Sequence, residues 1–284
     1  MSLSSTQLDA FAAVARSLSF SKAAVELGIT QSALSQRVHN LEEELGLTLF
    51  LRDRAGARLT PEGARLLRYC SSRETLEAEL LSELVSRPGE GQLTGHLRVA
   101  AFSSILRSAV LPAVSPLLGE HPRIQARFYG RELSELAPML ARAEADFVFT
   151  SSPLERDGVE SVFVGHETLV LVESASRKAP PDTYLDHDPE DTTTERFLKS
   201  HGRTTRGTRR VFLDDVYGLL DGARLGLGRA VVSRHLLAGT RGLRVVTRSA
   251  ALKEPVYLHF HSQPHYTRLQ LAARAALLTV ASFL

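Results

Sequence analysis

Residues 20–45 decide the fold of the N-terminal part, and they read FSKAAVELGITQSALSQRVHNLEEEL. Two helical patterns meet in this stretch at a short turn. The first pattern begins at Ser21, the predicted N-cap, and ends at Gly28, because glycine readily adopts the left-handed conformation that follows a helix. Thr30 is a good N-cap for the second pattern. That second helix is predicted to reach about residue 45, and its apolar stripe consists of Leu34, Val38, Leu41 and Leu45.

The N-terminal end of the second helix is polar on the face opposite that stripe. Two short helices joined by a glycine-containing turn predict a helix-turn-helix, whose second helix enters the major groove with its N-terminal end first. Glutamine can pair with adenine, arginine with guanine, and serine with either base or with phosphate oxygens. The pattern leaves one alternative open, a helical hairpin with a solvated polar face. The predicted DNA contacts of this motif are Ser21, Thr30, Gln31, Ser32, Ala33, Ser35, Gln36 and Arg37.

A β-hairpin is predicted directly after these helices. Residues 49–52 have the pattern of a short strand, residues 53–57 that of a tight turn, and residues 58–59 that of the returning strand. A hairpin in this position is a wing, and its arginines lie where phosphates or the minor groove of DNA would be. The arginines on or beside the wing are Arg52, Arg54 and Arg58.

Residues 3 to about 68 resemble the winged helix-turn-helix of LysR-type transcriptional regulators. Five motifs carry the resemblance and follow one another in the order of that family: Ala23-Ala24, QSALS at 31–35, LEEELG at 41–46, LFLR at 49–52 and LTPEG at 59–63. The resemblance implies a sequence-specific regulator that binds double-stranded promoter DNA. It implies neither an enzymatic activity nor a cofactor.

A long helix is predicted from Pro61 to about Val85. Thr60 before Pro61 is the order expected of an N-cap and a first helical position. Apolar side chains recur along this helix every three to four residues, namely Leu66, Tyr69, Leu76, Leu80 and Leu84. Such a narrow seam suits a partner helix or the chain's own core. In the resembled family the linker helix forms the dimer contact, which implies a homodimer or a tetramer.

Composition indicates the class of protein but says little about its ligands. The 284 residues are 43% hydrophobic and 23% charged, as in ordinary globular proteins, and their formal net charge is +2. The first 90 residues contain 10 Lys and Arg against 12 Asp and Glu, a balance of −2, so a basic footprint on DNA must be local. The sequence has no signal-peptide pattern and no apolar run long enough to cross a membrane. We therefore expect a soluble cytoplasmic protein.

The single cysteine, Cys70, excludes a disulfide within the chain and fits a reducing compartment. A redox-sensing role for this thiol stays open, although a lone cysteine in a helical pattern is more often a packing residue.

The sequence pattern changes after residues 87–91, RPGEG, which predict a hinge. Beyond them strands at 97–102, 124–129 and 146–150 alternate with helices, as in βαβ units with a parallel sheet. A longer apolar strand at 162–172 can pass into a second lobe. An alanine-rich helix at 269–284 is predicted to close the fold.

The family resemblance is looser here and covers about residues 95–284. It implies a two-lobed α/β effector domain with the architecture of periplasmic binding proteins. The prediction is thus an α+β protein with a winged helix-turn-helix domain at 1–60, a linker (dimerisation) helix at 61–87, a hinge at 88–94 and an effector-binding domain at 95–284. Lobe I should contain about residues 95–163 and 266–284, and lobe II about residues 164–265.

Ligands of open parallel sheets bind beyond the C-terminal ends of the strands, where helix N-termini offer N–H groups. Ser103 and Ser104 follow the first strand of the domain, and Thr150 and Ser151 follow the third. Hydroxyls beside a positive helix end would suit a small molecule that carries a carboxylate. The alternative is that these residues are ordinary caps. Further candidates in the second lobe are Asp188, Thr192 and Arg229.

Catalytic and metal-binding motifs are not found in the sequence. It contains no Walker loop, nucleophile elbow or CxxC motif. His259 and His261 could share a strand face, but no third metal ligand is evident. Two other hypotheses stay open: an architectural DNA-binding protein without a true effector, and a small-molecule binding protein or enzyme with a helical appendage. For a regulator, RNA polymerase is a further expected partner.

Overall fold

The structure is a computed structural model that describes residues 3–53, 56–85, 92–246 and 252–284. Three predicted features lie partly or wholly outside the described residues. They are Arg54 of the wing, the end of the linker helix at residues 86–87, and the part of the hinge at residues 88–91.

The N-terminal helices and hairpin share one apolar core. The elements are α1 (Ser5–Ser17), α2 (Phe20–Glu26), α3 (Gln31–Leu45), β1 (Phe50–Asp53) and β2 (Gly56–Leu59). Phe11 of α1 and Leu34 of α3 are fully buried in this core. The ring of Phe50 lies 5.3 Å from the ring of Phe11 and 5.7 Å from that of Phe20, centroid to centroid. These contacts attach the hairpin to α1 and α2.

The helix ends agree with the predicted caps except at the start of α2. Gly28 has a φ of +63°, and Thr30 Oγ1 accepts a hydrogen bond from a backbone N–H three residues later at 3.2 Å. The N-cap of α2 is Ser19, whose Oγ accepts from the backbone N–H of Lys22 at 3.3 Å. The prediction of Ser21 as the cap was wrong. Ser19 has the extended backbone that an N-cap requires, whereas Ser21 already lies within the helix.

The strands of the hairpin are longer than predicted. Their antiparallel pairing runs from Phe50 opposite Leu59 to Asp53 opposite Gly56, which extends both strands into the stretch 53–57. That stretch had been predicted as a turn.

A carboxylate at the end of α3 holds the start of this hairpin. Glu42 Oε1 accepts the N–H of Leu49 at 2.7 Å and that of Phe50 at 3.2 Å. Both donor residues are buried, so the carboxylate satisfies backbone groups that water does not reach. Glu42 therefore fixes the wing relative to the helix that precedes it.

The linker helix α4 (Pro61–Val85) packs one side against the N-terminal core. Thr60 Oγ1 accepts from Gly63 N at 3.0 Å, which confirms Thr60 as the N-cap. Ala64, Leu67 and Cys70 are buried against that core.

The first lobe of the C-terminal domain begins with parallel strands. Its elements are β3 (Gly95–Ala101), α5 (Ser103–Ile105), a π-helical turn (Leu106–Val110), α6 (Leu111–Glu120), β4 (Ile124–Gly130), α7 (Leu133–Ala141) and β5 (Phe147–Thr150). β3 pairs in parallel with both β4 and β5. α6 continues through Pro116 to Glu120, and Leu117 and Leu118 after the proline pack against the core of this lobe.

The second lobe follows the long strand β6 (Val159–Ser174). Its elements are β7 (Thr183–Asp186), α8 (Thr193–Ser200), β8 (Arg209–Phe212), α9 (Val216–Leu225), β9 (Arg229–Ser233), a 3₁₀ turn (Arg234–Leu237) and β10 (Leu243–Val245). The chain returns through β11 (Leu252–His261) and ends with α10 (Arg268–Leu278) and a 3₁₀ turn (Thr279–Phe283). The helix predicted at 269–284 thus ends earlier, at Leu278.

Strands β6 and β11 join the two lobes into one sheet. Within the described residues the strand order is β4-β3-β5-β11-β6-β9-β7-β8, and β10 also pairs with β6. β6 and β11 are antiparallel, and their register shifts once between Val256 and Tyr257. This arrangement is the two-lobed α/β architecture that was predicted.

Glu42→Ala is expected to destabilise the winged helix-turn-helix by about 1–3 kcal/mol, because two buried backbone donors lose their acceptor. Urea-induced unfolding followed by circular dichroism measures this loss. Glu43→Ala is the matched control, since the Glu43 side chain is 67% exposed and pairs with His39 on its own helix. Equal effects of the two substitutions would contradict the role assigned to Glu42.

His259 lies buried in the first lobe between two hydroxyls. Its Nε2 is 2.7 Å from Thr150 Oγ1 and its Nδ1 is 2.8 Å from Ser161 Oγ. Thr150 donates its own proton to the carbonyl of Ser152 at 2.6 Å, so Nε2 carries the proton and donates to Thr150. Burial lowers the pKa of His259 from 6.5 to about 4, and the ring is neutral.

This lowered pKa makes the protein less stable in acid. The unfolded chain takes up a proton on this histidine below pH 6.5, whereas the folded chain does so only near pH 4, so stability is lost as pH falls through that window. The expected loss is about 3 kcal/mol. His259→Gln should remove this part of the pH dependence of the unfolding free energy. The control His96→Gln, the same change at an exposed position, should leave that pH dependence unchanged.

Candidate DNA-binding surface and effector cleft

The predicted recognition face of α3 points away from the protein. Leu34, Val38 and Leu41 are fully buried and fix the rotation of the helix on its core. The opposite face is consequently turned outward. On it Gln31, Ser32, Ala33 and Gln36 are exposed, and Ser35 and Arg37 are partly buried.

Ser21 contacts the first residue of this face instead of capping its own helix. Its Oγ donates to Gln31 Oε1 at 3.1 Å, which orients the Gln31 amide before any DNA is bound. Thr30 Oγ1, the cap of α3, lies 3.0 Å from Ser32 Oγ. Gln36 Nε2 donates to Asn40 Oδ1 at 2.7 Å. The polar side chains of the face are therefore already held in place by their neighbours.

The wing follows α3 in the chain and is held to that helix through Glu42. Arg58 is exposed on β2, opposite Leu51. Arg52 is on β1 opposite Ala57, while its side chain, and the whole of Arg54, are outside the described residues.

The apolar seam predicted on α4 is only partly covered by this chain. Leu66 packs against the N-terminal core. The exposed fractions are 52% for Tyr69, 50% for Leu76, 55% for Leu80 and 73% for Leu84. Beyond Leu66, packing on the chain's own core therefore leaves at least half of each of these side chains exposed.

The two lobes meet at the C-terminal ends of their strands. Tyr217, which follows β8, donates its hydroxyl proton to the carbonyl of Ser103 at 3.4 Å. His187, which follows β7, has its Nε2 3.9 Å from Glu132 Oε1 in the first lobe. The candidate cleft lies between these ends, which is where open α/β sheets bind ligands.

The four first-lobe candidates emerge together at this cleft, as the parallel register requires, but they differ in access. Ser103 is exposed and Ser151 is partly buried. Ser104 is 7% exposed and donates its Oγ proton to Glu167 Oε1 at 3.3 Å. Thr150 is 5% exposed and bonded to His259, as described above. Two of the four hydroxyls thus already have partners within the protein.

The second-lobe candidates are not all near the cleft. Asp188 follows β7 and accepts the N–H groups of Glu190 at 2.6 Å and Asp191 at 2.9 Å, and Thr192 is exposed just before α8. Arg229 lies at the start of β9, the far end of that strand from the cleft, and donates to Glu173 Oε2 at 2.8 Å. The structure therefore does not bring Arg229 together with the other candidates.

Charges from both lobes surround His187. Burial lowers its pKa, but the hydrogen bond with Asp188 at 3.2 Å and the charges of Glu132, Asp188 and Asp214 outweigh burial and raise the pKa above its ordinary value. The same hydrogen bond with His187 lowers the pKa of Asp188.

Three residues at the floor of the cleft were missed by the sequence analysis. Glu167 accepts from Ser233 Oγ at 2.8 Å and lies 2.9 Å from His235 Nε2. A single signal was available, because Glu167 interrupts the apolar strand predicted at 162–172.

Cys70 is fully buried, and burial raises the pKa of its thiol to about 11. A buried thiol with this pKa is not a thiolate at neutral pH, which argues against the redox-sensing hypothesis. Among the described residues, no group of three or more His, Cys, Asp or Glu side chains could hold a metal ion. In the same part of the chain, no helix is both long enough and apolar enough to cross a membrane.

Comparison with known protein families gives two matches. Residues 5–64 match the family described as bacterial regulatory helix-turn-helix protein, lysR family, and residues 90–282 match the LysR substrate binding domain.

Individual relatives and solved structures agree with these matches. The chain is 30% identical over 174 residues to the HTH-type transcriptional regulator YofA of Bacillus subtilis, which covers 61% of this chain and 59% of that protein. It is 33% identical over 180 residues to HdfR of Yersinia enterocolitica, and the match covers 62% of this chain and 59% of that protein. ArgP of Mycobacterium tuberculosis has a similar fold, with a TM-score of 0.77 and 22% identity. The alignment covers 99% of this chain and 98% of that chain. LysG of Corynebacterium glutamicum, solved with its effector Arg bound, also has a similar fold. Its TM-score is 0.73 at 20% identity, and the alignment covers 99% of this chain and 98% of that chain.

The matched stretch spans about three fifths of the length of those curated relatives. The two family matches, in contrast, extend over both the helix-turn-helix and the two-lobed domain. By sequence and by fold, the chain belongs to the LysR family of bacterial regulatory proteins.

Proposed function

We propose that this protein is a sequence-specific DNA-binding transcriptional regulator whose two-lobed domain binds a small-molecule effector. One observation carries the proposal: the outward, polar N-terminal face of α3, with Gln31 oriented by Ser21. A solvated hairpin would not need a preset side chain there. Recognition of base edges requires hydrogen-bonding groups whose orientation is already fixed.

The contacts with DNA divide into two kinds. Gln31, Ser35 and Arg37 are proposed to read base edges, and the Ala33 methyl group suits contact with a thymine methyl group. The wing arginines are proposed to hold phosphates, which positions the protein without selecting a sequence. The full proposed set is Ser21, Thr30, Gln31, Ser32, Ala33, Ser35, Gln36, Arg37, Arg52, Arg54 and Arg58.

A homodimer is proposed to form through the exposed seam of α4. The exposed side chains Leu76, Leu80 and Leu84 follow one another at intervals of four residues, the spacing of one helix face. A dimer would place two recognition helices about 34 Å apart or a multiple of that distance, which favours an inverted-repeat site. In this proposal residues 1–60 bind DNA, 61–87 dimerise, 88–94 form a hinge and 95–284 sense the effector. The protein would act in the cytoplasm together with RNA polymerase.

The effector is proposed to bind between the lobes, at the groups that stay accessible. These are Ser103 and Ser151 of the first lobe and Asp188 and Thr192 of the second. The Ser104 hydroxyl already donates its proton to Glu167. A ligand carboxylate, as expected from the sequence, could bind this hydroxyl only by replacing Glu167 as the acceptor. LysG was solved with bound Arg, which makes L-arginine a first probe.

Footprinting of the purified protein on its own promoter region at several salt concentrations tests the proposal. We expect a protected inverted repeat bound about 10³-fold or more tightly than random DNA. Equal affinity for all DNA would support an architectural protein. No binding even at low salt, together with tight binding of a small molecule, would support a binding protein or an enzyme with a helical appendage.

Gln31→Ala is expected to cost about 1–3 kcal/mol at one base position and to relax specificity there. Ser21→Ala should produce a smaller loss at the same position, because it removes only the bond that orients the Gln31 amide. Competition binding with single-base variants of the site measures both effects. Gln125→Ala, the same change at an exposed position on β4, is the control. Unchanged specificity in Gln31→Ala would mean that this residue does not read bases.

Leu80→Glu is expected to dissociate the dimer, since a charge would lie in a narrow apolar seam without a partner. Sedimentation equilibrium of the full chain gives the oligomeric state. Leu271→Glu is a matched control, because Leu271 is 51% exposed on α10 and Leu80 is 55% exposed on α4. A Leu80→Glu protein that stays dimeric would place the dimer contact elsewhere.

A further inference from the structure

A cluster of basic side chains lies where the linker helix α4 packs on the first lobe. Arg68 of α4 is partly buried there, and Arg65 is exposed one helical turn before it. Arg156 comes from the loop before β6. Burial lowers the pKa of Arg68, and the charges of Arg65 and Arg156 lower it further. Burial also lowers the pKa of His261 at the end of β11, and the charges of Arg68 and Arg156 add to that effect.

Arg68 has no counter-ion in this cluster. Among the described residues, no carboxylate and no other acceptor pairs with its guanidinium group. Burying a charge is costly unless the charge is paired and hydrogen-bonded, and like charges nearby add to the cost. The protein alone therefore leaves this position short of negative charge.

A small cavity of about 30 Å³ lies against Arg68. We call it the linker cavity. Arg68 and Ser71 line it from α4, and Gln263, Gln270 and His261 line it from the first lobe. A cavity of this size can hold one small ion or a few waters, whereas pockets for organic ligands usually measure about 300–1,000 Å³. The linker cavity is thus suited to an inorganic ligand.

The uncommitted polar groups of the linker cavity are mainly donors. Gln270 Oε1 accepts the N–H of Thr267 at 2.9 Å, which leaves the amide NH₂ group of Gln270 to donate elsewhere. Neither that NH₂ group nor the Ser71 hydroxyl has a partner among the described residues. The guanidinium group of Arg68 is a donor only. Such a set fits a ligand that accepts several hydrogen bonds.

Two carboxylates lie near the linker cavity, and each has a cation of its own. Asp146 lines the cavity, and its Oδ1 is 2.6 Å from Nη2 of Arg98. Glu160 accepts from a tyrosine hydroxyl that lines the cavity, and its Oε2 is 3.7 Å from Nη2 of Arg274. The charge of Arg68 consequently stays uncompensated.

We propose that the linker cavity binds one tetrahedral oxyanion, phosphate or sulfate, between α4 and the first lobe. The planar guanidinium group of Arg68 can hold two oxygens of such an anion, and Ser71 and Gln270 can donate to the others. Chloride is a single acceptor atom with a single charge, so it would satisfy fewer of these donors. The bound oxyanion would connect α4 to the first lobe and so stabilise the position of the DNA-binding domain. This inference goes beyond the proposed function and depends on neither the effector nor DNA.

Isothermal titration calorimetry of the full-length protein tests the binding directly. Sodium sulfate and sodium phosphate are titrated separately, with the ionic strength held constant by sodium chloride. We expect one saturable site per chain for both oxyanions, and binding at least about tenfold weaker in Arg68→Gln, which loses charge-assisted hydrogen bonds. Arg123→Gln, the same change at an exposed position just before β4, is the control and should bind like the wild type. Absence of saturable binding, or equal binding by Arg68→Gln, would overturn the proposal.

Thermal unfolding distinguishes an anion-binding arginine from one that only supports the fold. In sodium chloride Arg68→Gln should unfold at the same temperature as the wild type or higher, because it removes an uncompensated charge. Sulfate at the same ionic strength should raise the unfolding temperature of the wild type more than that of the variant, since a ligand stabilises the state that binds it. A variant that is less stable than the wild type by the same amount in both salts would overturn the proposal.

Gln270→Glu places a carboxylate at the linker cavity. Glutamate keeps an acceptor for the N–H of Thr267, so the cap of α10 should survive. The new charge should raise the unfolding temperature in sodium chloride and weaken the binding of sulfate, because it supplies the missing counter-ion. Gln125→Glu, at an exposed position on β4, is the control. Undiminished binding of sulfate by Gln270→Glu would place the anion elsewhere and overturn the assignment.

Discussion

The pairing of β6 with β11 is the constraint on which the C-terminal domain depends. These two strands run through both lobes, so each lobe is one half of a single sheet and not an independent body. Movement of one lobe relative to the other must bend this ladder. The register shift at Val256 and Tyr257 lies close to Glu167 along the ladder, where an extra residue interrupts regular pairing. The polar floor of the cleft therefore lies close to a β-bulge, where the strand is locally bent.

Two buried histidines show how neighbours decide the state of one side chain. His259 lies between the hydroxyls of Thr150 and Ser161, and Ser161 Oγ is also 3.1 Å from the carbonyl oxygen of Leu154. His235 lies between the hydroxyl of Ser108, at 2.6 Å from Nδ1, and the carboxyl group of Glu167, at 2.9 Å from Nε2. Similar burial thus surrounds one ring with uncharged hydroxyls and places the other against an acidic side chain. Against these uncharged partners, burial lowers the pKa of His259 to about 4.

Local rules predicted the N-terminal helices and the wing to within a few residues, because caps, periodicity and turns are determined by neighbours in sequence. These rules failed where two nearby serines were equally suitable as the N-cap of a helix, as with Ser19 and Ser21 at the start of α2. A strand face at His259 and His261 was considered, but the pairing of β11 with β6 was not predicted, since it joins residues about 100 positions apart and nothing local specifies it. Strand order along the chain placed the cleft hydroxyls correctly at the C-terminal edge of the parallel strands. The hydrogen-bond partners of Ser104 and Thr150 could not be predicted, because Glu167 and His259 are distant in sequence. The DNA-binding face was more predictable, because it lies on one helix.

The linker helix restricts how a change in the cleft can reach the DNA-binding domain. Glu79 of α4 is 9% exposed and accepts the N–H of Leu269 at 3.2 Å, at the start of α10 in the first lobe. Moving α4 across that lobe would leave a buried carboxylate and a helix N–H without partners, at a cost of about 1–3 kcal/mol. Bending the ladder between the lobes leaves this contact intact. The second lobe is consequently the part that can move at lower cost, while α4 and the first lobe move together.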